Sequence, residues 1–396
     1  MNYKLKLNDN FYFNKITNKL INYKLNKDYI KFYNIKYRYL TINEELLLYK
    51  YFIKDYKIDL KSFIENYNKN KYSYSILYPY IDKIKLYFEK EFEELIDINL
   101  NPFISYNILK YIQNNIKQKY IYKNNNINLK IFTENNIDLL LLDDIHNIIN
   151  FFNDIFNYKN DINIIIFLTP FKKKIQKEFI PETVNSGSCI KNKKIVIWRI
   201  EEVCKVLIHE LLHYCNIDIH DDYYISNKLK KEINLEFLSN LNPNEAYTES
   251  IALILYTYYN TLKINNNIFN IYIFENLFND EIIFSIKQCC KIIKHFNCFN
   301  NYEDIFITSK KCNTIQYTSI FSYFIIKTSL IFDLNYFLNF IKIINNNSFK
   351  FINTQKNYYY FYKYIINSLK NKKFIQIINK NLNNLTTNNT MRMTHF

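Results

Sequence analysis

Glycine is almost missing from this chain: Gly187 stands alone among 396 residues, beside one tryptophan (Trp198), two alanines (Ala246, Ala252) and three arginines (Arg38, Arg199, Arg392). The depleted residues, arginine less strictly, have GC-rich codons, and the abundant Lys, Asn, Ile, Tyr and Phe have AT-rich ones. An AT-rich genome therefore accounts for the composition, for the Asn-rich stretches and for the net charge of +15. With so few arginines, and lysines scattered among asparagines and acids instead of gathered in a stripe, that charge does not point to nucleic acid. No CxxC pair occurs among the seven cysteines (189, 204, 215, 289, 290, 298, 312), and their number is odd, so a reduced intracellular chain with buried thiols is expected. The first twenty residues carry charges throughout and lack the apolar segment of a secretory leader. Long apolar runs are absent as well; the longest, residues 320–332, contains Lys327 and is too short to span a bilayer. The expectation is a soluble, cytoplasmic protein that uses neither membrane nor nucleic acid, long enough for two or three domains. Its oligomeric state is left open.

What is present changes along the chain. Residues 1–125 read as mainly helical, with a capping box at Thr41-Ile42-Asn43-Glu44 and helices over 81–97 and 102–120. A polar break at 123–126 follows. Residues 127–133 alternate as a strand, 137–156 form a long apolar helix, and 162–169 make a nearly continuous apolar run of strand length. Residues 183–190 and 194–199 read as two more strands joined by the turn Lys191-Asn192-Lys193, and 201–214 as a helix. Val203, Val206, Leu207, Ile208, Leu211 and Leu212 make that helix apolar almost all round, hence buried. Glu201 and Glu202 in its first turn suit the positive end of the macrodipole. Beyond residue 260 the pattern is helical again (274–296, 318–344, 358–378), before an Asn/Thr-rich tail.

Histidine is also scarce, six in the chain, and two of them stand in His209-Glu210-Leu211-Leu212-His213. Residues four apart lie on one helix face, so both imidazoles can reach a single metal ion, and Glu210 projects beside them where it can take a proton from water. Two histidines do not make a catalytic zinc site; a third ligand is needed. Asn242-Pro243-Asn244-Glu245-Ala246-Tyr247-Thr248-Glu249 supplies one. Asn242 can cap a helix whose first residue is Pro243, and Glu245 and Glu249 then stack on one face. The plain alternative for Glu245 is a capping box with Asn242.

HExxH followed by Asn-Glu-x-x-x-Asp/Glu on a second helix resembles the gluzincin clan of metallopeptidases, the thermolysin-like enzymes. The resemblance implies that His209, His213 and Glu245 bind one Zn2+, that Glu210 is the general base, and that Glu249 orients His209 from behind. Glu249 replaces the aspartate usual in the clan, so the two glutamates could exchange roles, and the 31 residues between His213 and Glu245 exceed the common spacing. A closer likeness, over roughly 127–260, is to HExxH proteins of large double-stranded DNA viruses. It is carried by Asn185-Ser186-Gly187-Ser188, by Trp198-Arg199-Ile200-Glu201-Glu202, by Lys205-Val206-Leu207-Ile208-His209-Glu210 and by Glu245-Ala246-Tyr247-Thr248-Glu249. The fold class expected is α+β. A helical region (1–125) precedes a zincin-like metallopeptidase domain with a small mixed sheet and a central HExxH helix (126–262), followed by a helical C-terminal subdomain (263–378) and a tail (379–396). A metzincin-like layout competes: its third histidine falls at Ile219, with His220 one residue out of register and Asn216 in place of the turn glycine. Otherwise Asp218, His220, Asp221 and Asp222 form a solvated loop.

The expected reaction is zinc-assisted hydrolysis of a protein or peptide. Glu210 takes the proton of the attacking water and passes it to the leaving amine. The strand before the active helix, with Ser186, Gly187 and Ser188, would hold an extended substrate by strand addition, Gly187 lying near the hairpin turn or serving as an ordinary turn glycine. Tyr323 is the first choice for the oxyanion donor, ahead of Tyr317, Tyr247 and His295. Arg199 is expected to pair with a glutamate of the adjacent helix or to place a charge near the cleft, and Arg392, between Met391 and Met393, to lie in a tail that is free or docked. The alternative function is a zincin-fold structural or interaction protein without turnover. Residues 185–252 hold the only glycine, the only tryptophan, both alanines and three of the six histidines.

Overall fold

The computed structural model describes residues 82–85, 94, 101–124, 126–233, 241–307, 316–383 and 389–396, all within one unit spanning residues 58–396. The capping box at 41–44 lies outside the described residues. The fold is mixed α+β: one six-stranded sheet and many helices. In chain order the strands are β1 (Asp82–Lys85), β2 (Gln118–Lys123), β3 (Ile127–Thr133), β4 (Ile162–Phe167), β5 (Gly187–Ile190) and β6 (Lys194–Ile197), and they stand in the sheet as β1-β2-β3-β4-β6-β5. β3, β4 and β6 run parallel, whereas β1, β2 and β5 are antiparallel to their neighbours. β4 is central and covered on both faces, which is why it reads as a nearly continuous apolar run, broken only by Asn163.

Alternation along the strands sorts the core into two layers. Phe132, Ile165, Phe167, Val196 and Trp198 pack against Ile104, Ile108, Ile112 and Ile116, in and beside helix α1 (Tyr106–Asn115). Leu129, Ile131, Ile164, Ile166, Ile195 and Ile197 are buried on the opposite face. There lie α2 (Leu139–Phe156) and, after the one-turn α3 (Pro181–Val184), α4 (Val203–Tyr214), which packs on α2, β5 and β6. All residues of α4 are buried except His213, which is partly exposed. Each fully buried Val, Leu or Ile there contributes about 1.5–3 kcal/mol, so burial rather than capping holds this helix. Beyond α5 (Tyr223–Glu232), the long α6 (Pro243–Ile264) packs on α4, and α7 (Ile271–Phe296) on α6. A π-helix (Phe321–Ile326) runs into α8 (Lys327–Ile331), followed by α9 (Leu334–Ile344), α10 (Gln355–Leu369) and α11 (Lys372–Leu382).

Asparagine does the work that glycine does elsewhere. Of the nine non-glycine residues with positive φ among the described residues, eight are asparagines, including Asn157 at the end of α2, Asn192 in the β5–β6 turn and Asn216 after α4. Asparagine tolerates the left-handed conformation through its short polar side chain. The ninth is Glu202 at φ 60°, immediately before α4.

Several expectations are corrected. Residues 82–85, expected in a helix, are β1, and the helix expected over 102–120 ends at Asn115, with β2 beginning at Gln118. Residues 183–190 are not one strand: Thr183 and Val184 belong to α3, and β5 starts at Gly187, at the open end of its hairpin instead of near the turn. The helix expected over 318–344 is broken: Phe321–Ile331 and Leu334–Ile344 are bent by 96°. No single described helix is long and apolar enough to cross a membrane; only that bent pair, taken together, has the length and composition. Glu201 and Glu202 stand just before α4 instead of in its first turn, Glu202 as the N-cap residue without a side-chain cap bond; Glu201 accepts the Lys173 N–H at 2.5 Å and Glu202 accepts Lys173 Nζ at 2.7 Å. Five cysteines (189, 204, 215, 289, 290) are free, and burial pushes Cys204 and Cys215 up to about 12, which makes them inert. Cys298 is disulfide-bonded, since the lack of CxxC excludes only local pairs.

The segment 389–396, assigned to the tail, is docked. Thr390 bridges Lys174, the Ile175 N–H donates to Asn389 O at 2.9 Å, and the Met391 N–H to Lys173 O at 3.0 Å. Met391, Met393 and Thr394 are buried. The N–H groups of Met393 and Thr394 both donate to Glu202 Oε1 at 2.7 Å. Arg392, inside this segment, lies 3.9 Å from Glu202 Oε1 through its Nε.

Candidate metal centre

Helix α4 puts His209 and His213 one turn apart, with their Nε2 atoms 3.1 Å from each other. Helix α6 meets it with its first two turns. Pro243 opens α6, but the Asn242 side chain makes no cap bond; its Nδ2 donates to Ser319 Oγ at 3.0 Å. Asp222 Oδ2 accepts the free Asn244 N–H of that turn instead, at 3.3 Å. Glu245 is thereby released from any capping box. Its Oε2 lies 3.3 Å from His209 Nε2 and 3.5 Å from His213 Nε2.

The outer nitrogens face carboxylates. His209 Nδ1 lies 2.9 Å from Glu249 Oε2, and His213 Nδ1 lies 2.7 Å from Asp218 Oδ2. A carboxylate opposite Nδ1 favours a proton on that nitrogen, so Nε2 is the atom that would give its lone pair to a cation. Three possible ligand atoms, two Nε2 and Glu245 Oε2, therefore converge, and Glu245 Oε2 is buried without a hydrogen-bond donor. Their separations suit one cation. Zinc bonds of about 2.0–2.2 Å in a tetrahedron require ligand atoms roughly 3.3–3.5 Å apart. Among the described residues this is the one His/Cys/Asp/Glu group that converges in this way.

The surrounding charge tells the same story. Burial disfavours an imidazolium at His213, yet Glu245 and Asp218 raise it well above its ordinary value; His209 is raised against its own burial by Glu245 and Glu249. Burial works against ionised Glu245 too, but the two histidines hold it well below the carboxylate range. The pocket attracts positive charge. Glu210, by contrast, is raised, chiefly by burial, as suits a base working near neutral pH.

Gly187 explains where Glu210 sits. A Cβ at position 187 would lie 2.6 Å from Glu210 Oε1 and 2.9 Å from its Cδ and Cγ. The glycine is required for space, since its φ is not left-handed. Of Ser186 and Ser188, expected with it as substrate contacts, the Ser186 carbonyl and the Ser188 hydroxyl have partners within the chain, and the Ser186 hydroxyl is buried without one. The Trp198 N–H donates to Ser186 O at 2.9 Å, and Asn101 Nδ2 donates to Ser188 Oγ at 2.6 Å. Ser186 opposes Trp198 in a hydrogen-bonded pair, so alternation turns the backbone groups of Ser186 and Ser188 toward β6 and those of Gly187 and Cys189 outward, on the free edge of the sheet.

Tyr323, in the π-helix, belongs to this cluster. Its ring lies 6.3 Å from that of His209, and burial, the charges of Glu245, Glu210 and Glu249, and a hydrogen bond with Glu245 push its phenol well up. The other donors considered lie elsewhere. Tyr247 gives its hydroxyl to Phe349 O at 2.6 Å, His295 packs against Phe179, and Tyr317 is exposed. Arg199 faces backbone rather than a glutamate carboxylate, its Nη2 donating to Glu182 O at 2.6 Å and its Nε to Asn185 O at 3.3 Å. His220 is exposed, and Ile219 is buried with its N–H on Asn244 Oδ1. The metzincin-like arrangement is not formed.

Asp218 is the residue that the sequence concealed. It was grouped with a solvated loop but is 1% exposed. It accepts from Asn244 Nδ2 at 3.0 Å and pairs with Lys191 at 3.3 Å. The available signal was Asn216, whose left-handed turn after α4 folds the chain back under His213.

An uncharacterized protein of Acanthamoeba polyphaga mimivirus is 28% identical to this chain over 193 residues, 46% of this chain and 48% of that protein. The chain thus spans about half the length of the curated relative it matches, and the likeness accords with the expected relation to proteins of large double-stranded DNA viruses. No protein-family profile and no solved structure matches the chain.

Proposed function

We propose that this chain is a zinc-dependent peptidase with a zincin-like domain of the gluzincin type. The observation that carries the reading is the convergence of His209 Nε2, His213 Nε2 and Glu245 Oε2 at 3.1–3.5 Å, backed by Glu249 and Asp218. Zinc held by these three atoms would supply Lewis acidity toward a carbonyl. Glu210, seated against Gly187, takes the proton of the attacking water and delivers it to the leaving amine. Tyr323 donates its phenol proton to the oxygen on which charge develops. An extended protein or peptide substrate pairs with the outward backbone groups of Gly187 and Cys189 on the edge of β5. Its setting in this reading is cytoplasmic, in a virus-infected cell.

Purified protein should carry about one zinc per chain. Glu210→Gln should keep the zinc and lose roughly 10²–10⁴-fold in cleavage of a peptide library. Glu245→Ala should lose the metal itself. Undiminished cleavage by Glu210→Gln would sink the mechanism, and a chain without zinc would sink the whole reading.

A further inference from the structure

Beneath the candidate ligands lies a second set of charges, of which the proposed chemistry uses Glu249 alone. Lys173, Lys205, Lys327, Glu202, Glu249 and Glu281 are all buried. Lys173 Nζ donates to Glu202 Oε2 at 2.7 Å, and Lys327 Nζ to Ser285 Oγ at 2.9 Å and to Met393 O at 3.4 Å. Lys205 Nζ donates to Glu249 Oε1 and lies 3.8 Å from Met393 Sδ. Glu281 accepts from Thr394 Oγ1 and, at 2.9 Å, from the His395 N–H.

We propose that Lys205 is a positioning residue of the metal centre, acting through Glu249; this rests on the peptidase reading above. Lys205 stands four residues before His209 on α4, so the two share a helix face. Glu249 reaches between them from α6 and divides its oxygens, Oε1 to the lysine and Oε2 to His209 Nδ1. Lys205 supplies the hydrogen bond to Oε1, and Oε2 has no donor of its own, so losing the lysine strips a desolvated carboxylate of its charged donor and costs it its place. With Lys205 removed, Glu249 leaves its rotamer, and His209 loses the acceptor that fixes its ring and its tautomer. Lys173 is the natural comparison. It is as deeply buried, but its partner Glu202 touches none of the three ligands.

The test is Zn2+ affinity, measured by chelator competition on wild type, Lys205→Met, Lys173→Met, Glu249→Gln and Glu249→Gln/Lys205→Met, with folding followed by circular dichroism. Lys205→Met should weaken zinc binding about 10–100-fold, as loss of an outer partner does. Lys173→Met should lower the Tm yet stay within about threefold of wild type in affinity. Added to Glu249→Gln, Lys205→Met should cost nothing further, since its route is already cut. The double variant removes both charges of the pair, so this comparison holds even where Lys205→Met alone does not fold. Wild-type affinity in folded Lys205→Met, equal losses in both lysine variants, or a further drop of about tenfold in the double variant overturns the proposal. Failure of the wild type to bind zinc overturns the peptidase reading and this inference with it, whereas zinc binding that is indifferent to Lys205 overturns this inference alone.

Discussion

Gly187 marks the one place where asparagine could not stand in for glycine. At left-handed turns a short polar side chain suffices, but at 187 any Cβ meets the Glu210 carboxyl. Gly187→Ala should therefore move the end of a flexible side chain, not the fold. The expected result is unchanged zinc content, a stability change within about 1 kcal/mol and a kcat lower by roughly 10²–10³-fold. A kcat equal to wild type would show that the base does not depend on that space. The sequence revealed the glycine and its neighbourhood, and hence a substrate-strand role was expected. It could not reveal what fills the space, because a missing side chain does not name its neighbour. Asp218 was hidden for the related reason that its burial depends on the Asn216 turn and on Asn244 of another helix.

At the scale of elements, α4 was legible because its spacing and its all-round apolar surface are local properties, and β3 and β4 because alternation and a nearly continuous apolar run are too. Helix α1 was overrun for an equally local reason. Ile108, Ile112, Ile116 and Tyr120 are buried at a four-residue spacing that suits helix and strand alike, so nothing in the pattern marks the end at Asn115. β1 is a four-residue strand whose identity comes from pairing with β2. The π-helix was invisible as such. Its wider turn carries Tyr323 beside Glu245 and His209, and such turns recur at functional sites. Tyr323→Phe should keep the zinc, leave KM nearly unchanged and lower kcat about 10²–10³-fold, the usual loss for one oxyanion donor. A change in KM with kcat intact would assign the phenol to substrate binding instead.

For the molecule as a whole, the cluster of Lys173, Lys205, Lys327, Glu202, Glu249 and Glu281 lies inside a chain whose net charge of +15 reads as a solvated surface. Scattered lysines gave no hint of this core, since burial is a property of the assembled fold. Breaking one buried pair by removing a single partner costs about 3–5 kcal/mol, so Lys173→Met should be strongly destabilised. Glu281 gives this core a pH response. Burial raises its carboxyl from 4.5 to about 7, so the folded state holds a proton there that the unfolded state has already released. That contribution is complete below pH 4.5 and is lost as the pH rises through about 7. Glu281→Gln should flatten the decline in urea midpoint over this window, by on the order of 3 kcal/mol at most. An unaltered slope would mean that other groups carry it.

Glu202 has a consequence in time as well as in space. The residue that opens the His209–His213 helix is gripped by backbone N–H groups 191 and 192 positions later in the chain. A helix start that awaits so distant a partner closes late, because long loops must be ordered before such contacts form. During synthesis, the two hydrogen bonds that Glu202 accepts here can form only once residues 393 and 394 have left the ribosome, so this end of the helix is the part whose anchoring comes late.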